Sequence, residues 1–193
     1  MKHVVKEIAS WTGYIVSAVL IGLVINTFVF QPTQIIGCSM ESTFFENDKI
    51  MVNKLIHTLG SEPDYGDVVI IDSRVSRERS FTDDLTDSIK YNAITSMITK
   101  EKQDILWIKR VVGKAGDTLE YVDGKLYRNG EVVEESYIKE PMNYFPDEKV
   151  VIPENQIFVM GDNRNASWDS RMIGCVPLDH VIGKYAFRFS KIF

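Results

Sequence analysis

The sequence predicts a mostly β protein, with an antiparallel, barrel-like β-sheet domain preceded by one N-terminal transmembrane helix. A run of twenty residues without charge, Trp11–Phe30, can form a helix of about 30 Å, which is enough to cross a bilayer core. Beyond this run, short apolar segments alternate with turns rich in Gly, Asn and Asp, and few segments have a helical pattern.

The apolar run is interpreted as an uncleaved membrane anchor. A cleavable signal peptide has a shorter apolar core that ends in small residues, whereas this run is followed by Gln31 and Pro32. A buried core helix is the other alternative, but it would show a polar face, and no charged residue lies between Glu7 and Glu41. Pro32 is expected to end the helix at or before Gln31.

The anchor divides the chain into three predicted parts. These are a short N-terminus (residues 1–10), the transmembrane anchor (11–31) and one β domain (32–193). Because Lys2 and Lys6 favour a cytoplasmic N-terminus, we expect a single-pass type II protein of the cell membrane with its β domain exported.

Nine segments of the β domain have a strand pattern. Asp123-Gly124 and Asn129-Gly130 are strong hairpin signals and predict a meander. The predicted strands are Thr33–Ile36, Lys49–Lys54, Val68–Ile71, Ile105–Val112, Leu119–Val122, Lys125–Arg128, Glu131–Val133, Gln156–Met160 and Val181–Phe189. Residues 73–104 are rich in charge and hydroxyl groups, and they are either an exposed insertion with a helix near Asp83–Lys100 or a mobile loop.

Composition excludes several classes of function. The net charge of −5 and the lack of a basic stripe argue against a nucleic-acid partner. Cys38 and Cys175 are too few for a disulfide framework and lack zinc-site spacing, and two separate thiols are favoured over a disulfide between them. The three histidines are scattered, so we expect neither a metal site nor a cofactor.

A serine and a lysine are the first two candidates for chemistry. Ser39 lies among small residues just beyond the anchor, but a hydroxyl is a poor nucleophile until a base takes its proton. None of the histidines has a promising setting. Lys109 lies inside an apolar strand, where alternation places it on one face with Trp107 and Val111. Burial that lowers its pKa from about 10.4 to about 8 requires about 3 kcal/mol.

The polar cluster Gly161–Arg171 is the third candidate. The hydroxyl of Ser167 can hold a neutral lysine amine without restoring its charge, and Asp169 and Arg171 can pair to fix the loop. Each candidate also has an ordinary explanation when taken alone. Ser39 can be a solvated turn residue, Lys109 a snorkelling side chain at a sheet edge, and the cluster a polar turn.

Together the three candidates resemble bacterial type I signal peptidases, the Ser-Lys leader peptidases of serine peptidase family S26. The resemblance extends from the anchor to the last strand. It rests on S-M-x-P-T at Ser39–Thr43, K-R-V-x-G-x-x-G-D at Lys109–Asp117 and G-D-N-R-x-x-S-x-D-S-R at Gly161–Arg171. Two prolines of these motifs are replaced, one by Ser42 and one by Ala115.

The resemblance implies a role for each matching residue. Ser39 would be the nucleophile, Lys109 the general base and Ser167 the group that orients the lysine, with Asp169 and Arg171 supporting the loop. The implied fold is the signal-peptidase β domain. The implied reaction removes signal peptides from exported preproteins through an acyl-enzyme. The implied partners are these signal peptides and membrane lipid.

The resemblance also implies how substrate is held. The backbone N–H of Ser39 would donate to the oxyanion. Gram-negative-type members have a second donor, a serine hydroxyl, two residues before the nucleophile. This chain has Gly37 at that position, as Gram-positive-type enzymes do. Ile36, Met40 and Phe44 would form shallow pockets for small side chains and touch the bilayer. We expect a monomer.

Two other functions remain as alternatives. A non-catalytic relative that assembles surface proteins is one, because Ser42 departs from the nucleophile motif. A self-cleaving repressor would use the same Ser-Lys chemistry, but it would carry a DNA-binding domain where this chain has an apolar run.

Overall fold

A computed structural model describes residues 2–90 and 105–189 of the chain. The α-helices in these ranges are α1 (Lys2–Phe28), α2 (Leu55–Thr58), α3 (Phe81–Lys90) and α4 (Ser170–Ile173). The strands are β1 (Phe30–Gln34), β2 (Lys49–Asn53), β3 (Val68–Asp72), β4 (Leu106–Gly113), β5 (Thr118–Val122), β6 (Lys125–Arg128), β7 (Glu131–Val132), β8 (Val150–Val151), β9 (Gln156–Met160), β10 (Val176–Pro177) and β11 (Val181–Arg188).

The strands form two antiparallel sheets. The larger sheet has the order β1-β2-β11-β3-β4-β9-β10, and the smaller one has the order β7-β6-β5-β8. Register shifts in β4 and β11 mark bulges, which bend the larger sheet into a curled half-barrel. The predicted fold class, mostly antiparallel β with one N-terminal apolar helix, is therefore confirmed.

The anchor and the first strand meet earlier than the sequence pattern predicts. Helix α1 ends at Phe28, and a stretch of 23 residues within it, Lys6–Phe28, is long and apolar enough to cross a membrane. Phe30 and Gln31 then pair with β2 instead of continuing the helix. Pro32 is tolerated in β1 because this is an edge strand.

The hairpin signals of the meander correspond to observed turns. Asp123, Gly124, Asn129 and Gly130 all have positive φ, as turns between β5, β6 and β7 require. The insertion contains α3, which begins at Phe81, and residues 91–104 of the predicted insertion lie outside the described residues.

Candidate active site

The turn that carries Ser39 is fixed by two of its side chains, which pack in the hydrophobic core. Met40 and Phe44 are 1% and 2% exposed, and they pack in the apolar cluster that includes Ile50 and Ile182. The amides of Thr43 and Phe44 donate to the carbonyl of Met40, at 3.0 and 2.8 Å. With its neighbours fixed in this way, Ser39 stays half-buried at the surface of the turn.

Lys109 lies on β4 with its amine against the serine hydroxyl. Its Nζ donates to Ser39 Oγ at 2.9 Å and to the carbonyl of Ile108 at 3.0 Å. The residue is 4% exposed, and burial lowers the pKa of Lys109 to about 8. The structure thus brings the predicted nucleophile and the predicted base into contact, in a setting that favours the neutral amine.

The loop after β9 holds the Ser39 turn from the side. The amide of Asn163 donates to the carbonyl of Ser39 at 3.0 Å, and its Nδ2 donates to the carbonyl of Cys38 at 3.1 Å. A Cβ at Gly161 would lie 2.5 Å from the Ser39 carbonyl oxygen and 2.3 Å from Ser167 Oγ. Only glycine therefore allows this loop to approach the turn so closely.

A buried ion pair joins the same loop to the strand that carries Lys109. Asp162 is fully buried and accepts from Arg110 Nε at 2.8 Å and Nη2 at 2.6 Å. The hydroxyl of Thr43, at the far end of the Ser39 turn, donates to the same carboxylate. Asp162 therefore links the Ser39 turn, β4 and the polar loop through one carboxylate that is paired with an arginine.

The predicted pair of Asp169 and Arg171 is present in the loop. Arg171 Nε donates to Asp169 Oδ1 at 2.8 Å, and both side chains are buried. Asp169 Oδ2 also accepts from the amide of Gly161 at 3.0 Å and from Ser167 Oγ at 2.7 Å. Among the described residues no hydrogen bond joins Ser167 to Lys109, so this serine contacts the loop carboxylate instead of the lysine amine that we expected it to orient.

A cavity of about 230 Å³ opens beside Ser39 and Lys109. Its wall combines the edge strand β1 with the start of β4 and is largely apolar. The wall side chains besides the Ser-Lys pair are Gln31, Thr33, Gln34, Ile35, Ile36, Ile50, Val52, Ile70, Leu106, Trp107, Ile108 and Ile182. The predicted pocket residue Ile36 is among them. Met40 and Phe44 are not, and their predicted role is corrected, because both are core side chains.

Two further predicted positions lie on the surface of the turn. Gly37 is exposed and has a φ of 86°, and it offers no side-chain donor near the serine. Cys38 is an exposed free thiol, and Cys175 is also free, with burial raising its pKa. The two thiols are therefore separate, as the sequence favoured.

Sequence reasoning assigned no role to Gly161, Arg110, Asp162 and Asn163. All four lie within the matched motifs, but only their contacts show what they do: they hold the backbone on both sides of Ser39. One feature of the sequence could have indicated such a role: Gly161 and Asp162 directly follow a buried strand, and the sheet fixes the start of a loop at such a point.

Comparison with known proteins gives consistent similarities. Residues 8–190 match the family described as signal peptidase, peptidase S26. The chain is 30% identical to Signal peptidase I S of Bacillus subtilis (strain 168), over 95% of this chain and 90% of that protein. It is 33% identical to Probable signal peptidase I-2 of Synechocystis sp., over 90% of this chain and 69% of that protein. A signal peptidase I crystal structure from Enterococcus faecalis V583 is 26% identical, with a TM-score of 0.43, over 64% of this chain and 96% of that chain.

Replacing Gly161 with alanine is expected to destabilise the protein by about 2 kcal/mol, because the new Cβ must displace the backbone of the Ser39 turn. Thermal unfolding of the full chain in detergent measures this loss. Gly22→Ala is the matched control, since a Cβ at that position meets nothing within 4 Å. Equal melting temperatures for the two variants would show that the loop can move away without cost.

Replacing Ser42 with proline is expected to destabilise the turn by about 2 kcal/mol, although proline is the motif residue, because a proline ring cannot adopt a positive φ. Ser42 has a φ of 91°, and its hydroxyl donates to the carbonyl of Tyr137. Ser42→Gly accepts this φ and loses only the hydroxyl contact, so it should stay within about 1 kcal/mol of the wild type. A proline variant as stable as the wild type would contradict the observed turn conformation.

Proposed function

The chain belongs to the signal peptidase family, peptidase S26, and we propose that it cleaves preproteins with a Ser39–Lys109 dyad through an acyl-enzyme. Signal peptidase I is a serine endopeptidase that removes signal peptides, and the family match and the relatives place this chain in that class. The observation that carries the proposed mechanism is the 2.9 Å contact between a buried lysine amine and the serine hydroxyl.

In the first half of the reaction, Ser39 attacks the scissile carbonyl carbon. The neutral amine of Lys109 takes the hydroxyl proton as the Oγ–C bond forms, which gives a tetrahedral intermediate with a negative oxygen. The resulting ammonium then donates its proton to the leaving amine. The C–N bond breaks, and the new N-terminus of the mature protein departs while the signal peptide remains as an ester on Ser39.

In the second half, water replaces the leaving amine. Lys109, again neutral, takes a proton from the water as it attacks the ester. The collapse of the second intermediate returns this proton to Ser39 Oγ and releases the carboxyl end of the signal peptide. Because one amine alternates between base and acid, the mechanism requires a lysine whose pKa lies near the working pH, and burial provides it.

The backbone amide of Ser39 is the donor that we assign to the oxyanion. Within the described part of the chain this N–H has no intramolecular acceptor, whereas the Ser39 carbonyl is occupied by Asn163. This amide is therefore available to donate to an oxyanion without a competing partner among the described residues. Gly37 adds no hydroxyl to this donor.

The substrate is proposed to bind as an extended strand along the cavity. β1 is an edge strand of the larger sheet, and edge strands offer free backbone groups to an added peptide. The cavity is small and its apolar wall includes Ile36, Ile70 and Leu106, which suits small side chains next to the cleaved bond. The wall also contains β1 residues only a few positions from the end of α1, so the site lies close to the anchor.

We further propose a type II arrangement in the membrane. The relatives are signal peptidases, and α1 provides a span that can anchor the chain. Lys2 and Lys6 favour a cytoplasmic N-terminus. The apolar part of α1, which ends at Phe28, then lies in the membrane, and the catalytic domain that begins with β1 lies on the outer side. A single chain contains both members of the dyad, which is consistent with a monomer acting on signal peptides at the lipid surface.

The proposed dyad is tested with a fluorogenic peptide that has Ala-x-Ala before the cleavage site. Ser39→Ala and Lys109→Ala should each reduce kcat/KM by at least about a thousandfold, because each removes one half of a coupled unit. Arg128→Ala, in the smaller sheet, is the control for folding in detergent. No cleavage by a folded wild type would favour the assembly-factor alternative, and activity in the Ser39 variant would exclude this nucleophile.

The pH dependence of kcat/KM should show an acidic limb centred at about 8, because only the neutral amine of Lys109 accepts the proton and burial lowers its pKa to about 8. Activity is therefore low below this pH and rises through it. Lys54 provides the matched control, since burial also lowers its pKa to about 8. Lys54→Met should leave the limb in place. If the limb disappears in this variant, the group that titrates is Lys54 and not Lys109.

A further inference from the structure

The end of the anchor contacts α3, which belongs to the insertion, and α2. The rings of Phe28, the last residue of α1, and Phe81, the first of α3, stack with centroids 6.0 Å apart and an interplanar angle of 15°. The hydroxyl of Thr58 in α2 donates to the carbonyl of Phe28 at 2.8 Å. Both short helices therefore lie at the level where α1 leaves the bilayer.

Helix α3 has two chemically different faces. Phe81 and Leu85 are one turn apart and are 67% and 46% exposed. Asp83, Asp84 and Asp87 occupy the other side of the helix, and each is within ion-pair distance of an arginine. The helix thus presents Phe81 and Leu85 outwards, whereas its three aspartates pair with arginines of the domain.

The charged face of α3 is fixed to the larger sheet. Asp72, at the end of β3, is fully buried and pairs with Arg79 at 2.6 Å. The side chain of Arg79 is 2% exposed, and its Nη2 also lies 3.0 Å from a carboxylate oxygen of both Asp84 and Asp87. The ring of His57 in α2 contacts Asp84 at 3.1 Å. These contacts hold α2 and α3 in one orientation and match the carboxylates with the domain's own cations.

We propose that the exposed side chains of Leu59, Phe81 and Leu85, the juxtamembrane patch, rest on the lipid bilayer beside the anchor. Leu59 directly follows α2 and is 72% exposed. The patch is continuous with the membrane span through the Phe28–Phe81 stack, and an amphipathic helix at this level places its apolar face among the acyl chains. The inference rests on the membrane anchor and is independent of the proposed peptidase dyad.

A lipid-contacting patch would fix the orientation of the domain as well as its position. α1 alone is a single attachment point, about which a domain can tilt and rotate. A second contact beside it restricts that motion, so the cavity wall on β1 keeps a constant height above the membrane surface.

The test uses the full chain with both native cysteines replaced by serine and a single NBD label at Leu85→Cys. The protein is reconstituted into phosphatidylcholine and phosphatidylglycerol vesicles, with or without lipids that carry a quenching nitroxide on the acyl chain. Val151→Cys is the control for an exposed apolar position in the smaller sheet, where Val151 is 64% exposed. Quenching at Leu85 should be about threefold stronger than at Val151, with blue-shifted emission.

A second label position distinguishes lipid contact by one face of α3 from the tendency of the dye itself to enter lipid. Thr86 is exposed on the same helix and lies about 100° around it from Leu85. A label at Thr86→Cys should be quenched less than one at Leu85→Cys. Equal quenching at the two positions, or quenching at Leu85 no stronger than at Val151, would overturn the proposal. The vesicles contain no substrate peptide, so quenching of the label reports its contact with lipid and not with a signal peptide.

Discussion

The burial of one lysine amine is the constraint on which the rest of the site depends. Lys109 can act as the proposed base only while no carboxylate restores its charge, yet Asp162 and Asp169 both lie close enough to raise its pKa. Each of these carboxylates is bound by its own arginine, Arg110 or Arg171. The two ion pairs stabilise the loop and at the same time weaken its field at the amine, so desolvation remains the largest effect.

The turn that carries Ser39, the proposed nucleophile, is fixed through its backbone and its neighbours. Met40 fixes one side of the turn in the core, and Asn163 fixes the other by binding the carbonyl of Ser39. Because the backbone on both sides of Ser39 is fixed, its hydroxyl stays within hydrogen-bond distance of the Lys109 amine. Gly161 makes this arrangement possible, since any side chain at that point would separate the loop from the turn.

Local patterns predicted the parts of the structure that depend on near neighbours. Lys109 was identified from the apolar strand around it, and the meander from Asp123-Gly124 and Asn129-Gly130. Long-range contacts were not predictable: β11 pairs between β2 and β3, far from its neighbours in sequence. Met40 and Phe44 were assigned to substrate pockets because apolar residues near a nucleophile fit a pocket and a core equally well. The partner of Ser167 and the left-handed turn at Ser42 likewise depend on distant backbone.

The buried amine of Lys109 also links the proposed activity to the stability of the fold. Folding lowers the pKa of Lys109 to about 8 from its ordinary value of 10.5. Between these two values the unfolded chain binds the proton more tightly than the folded chain, so the free energy of unfolding rises with pH across that window. Lys54 contributes in the same direction. A rise in pH that deprotonates Lys109, the proposed base, therefore also increases the free energy of unfolding, and a fall in pH lowers both the fraction of neutral amine and this stability.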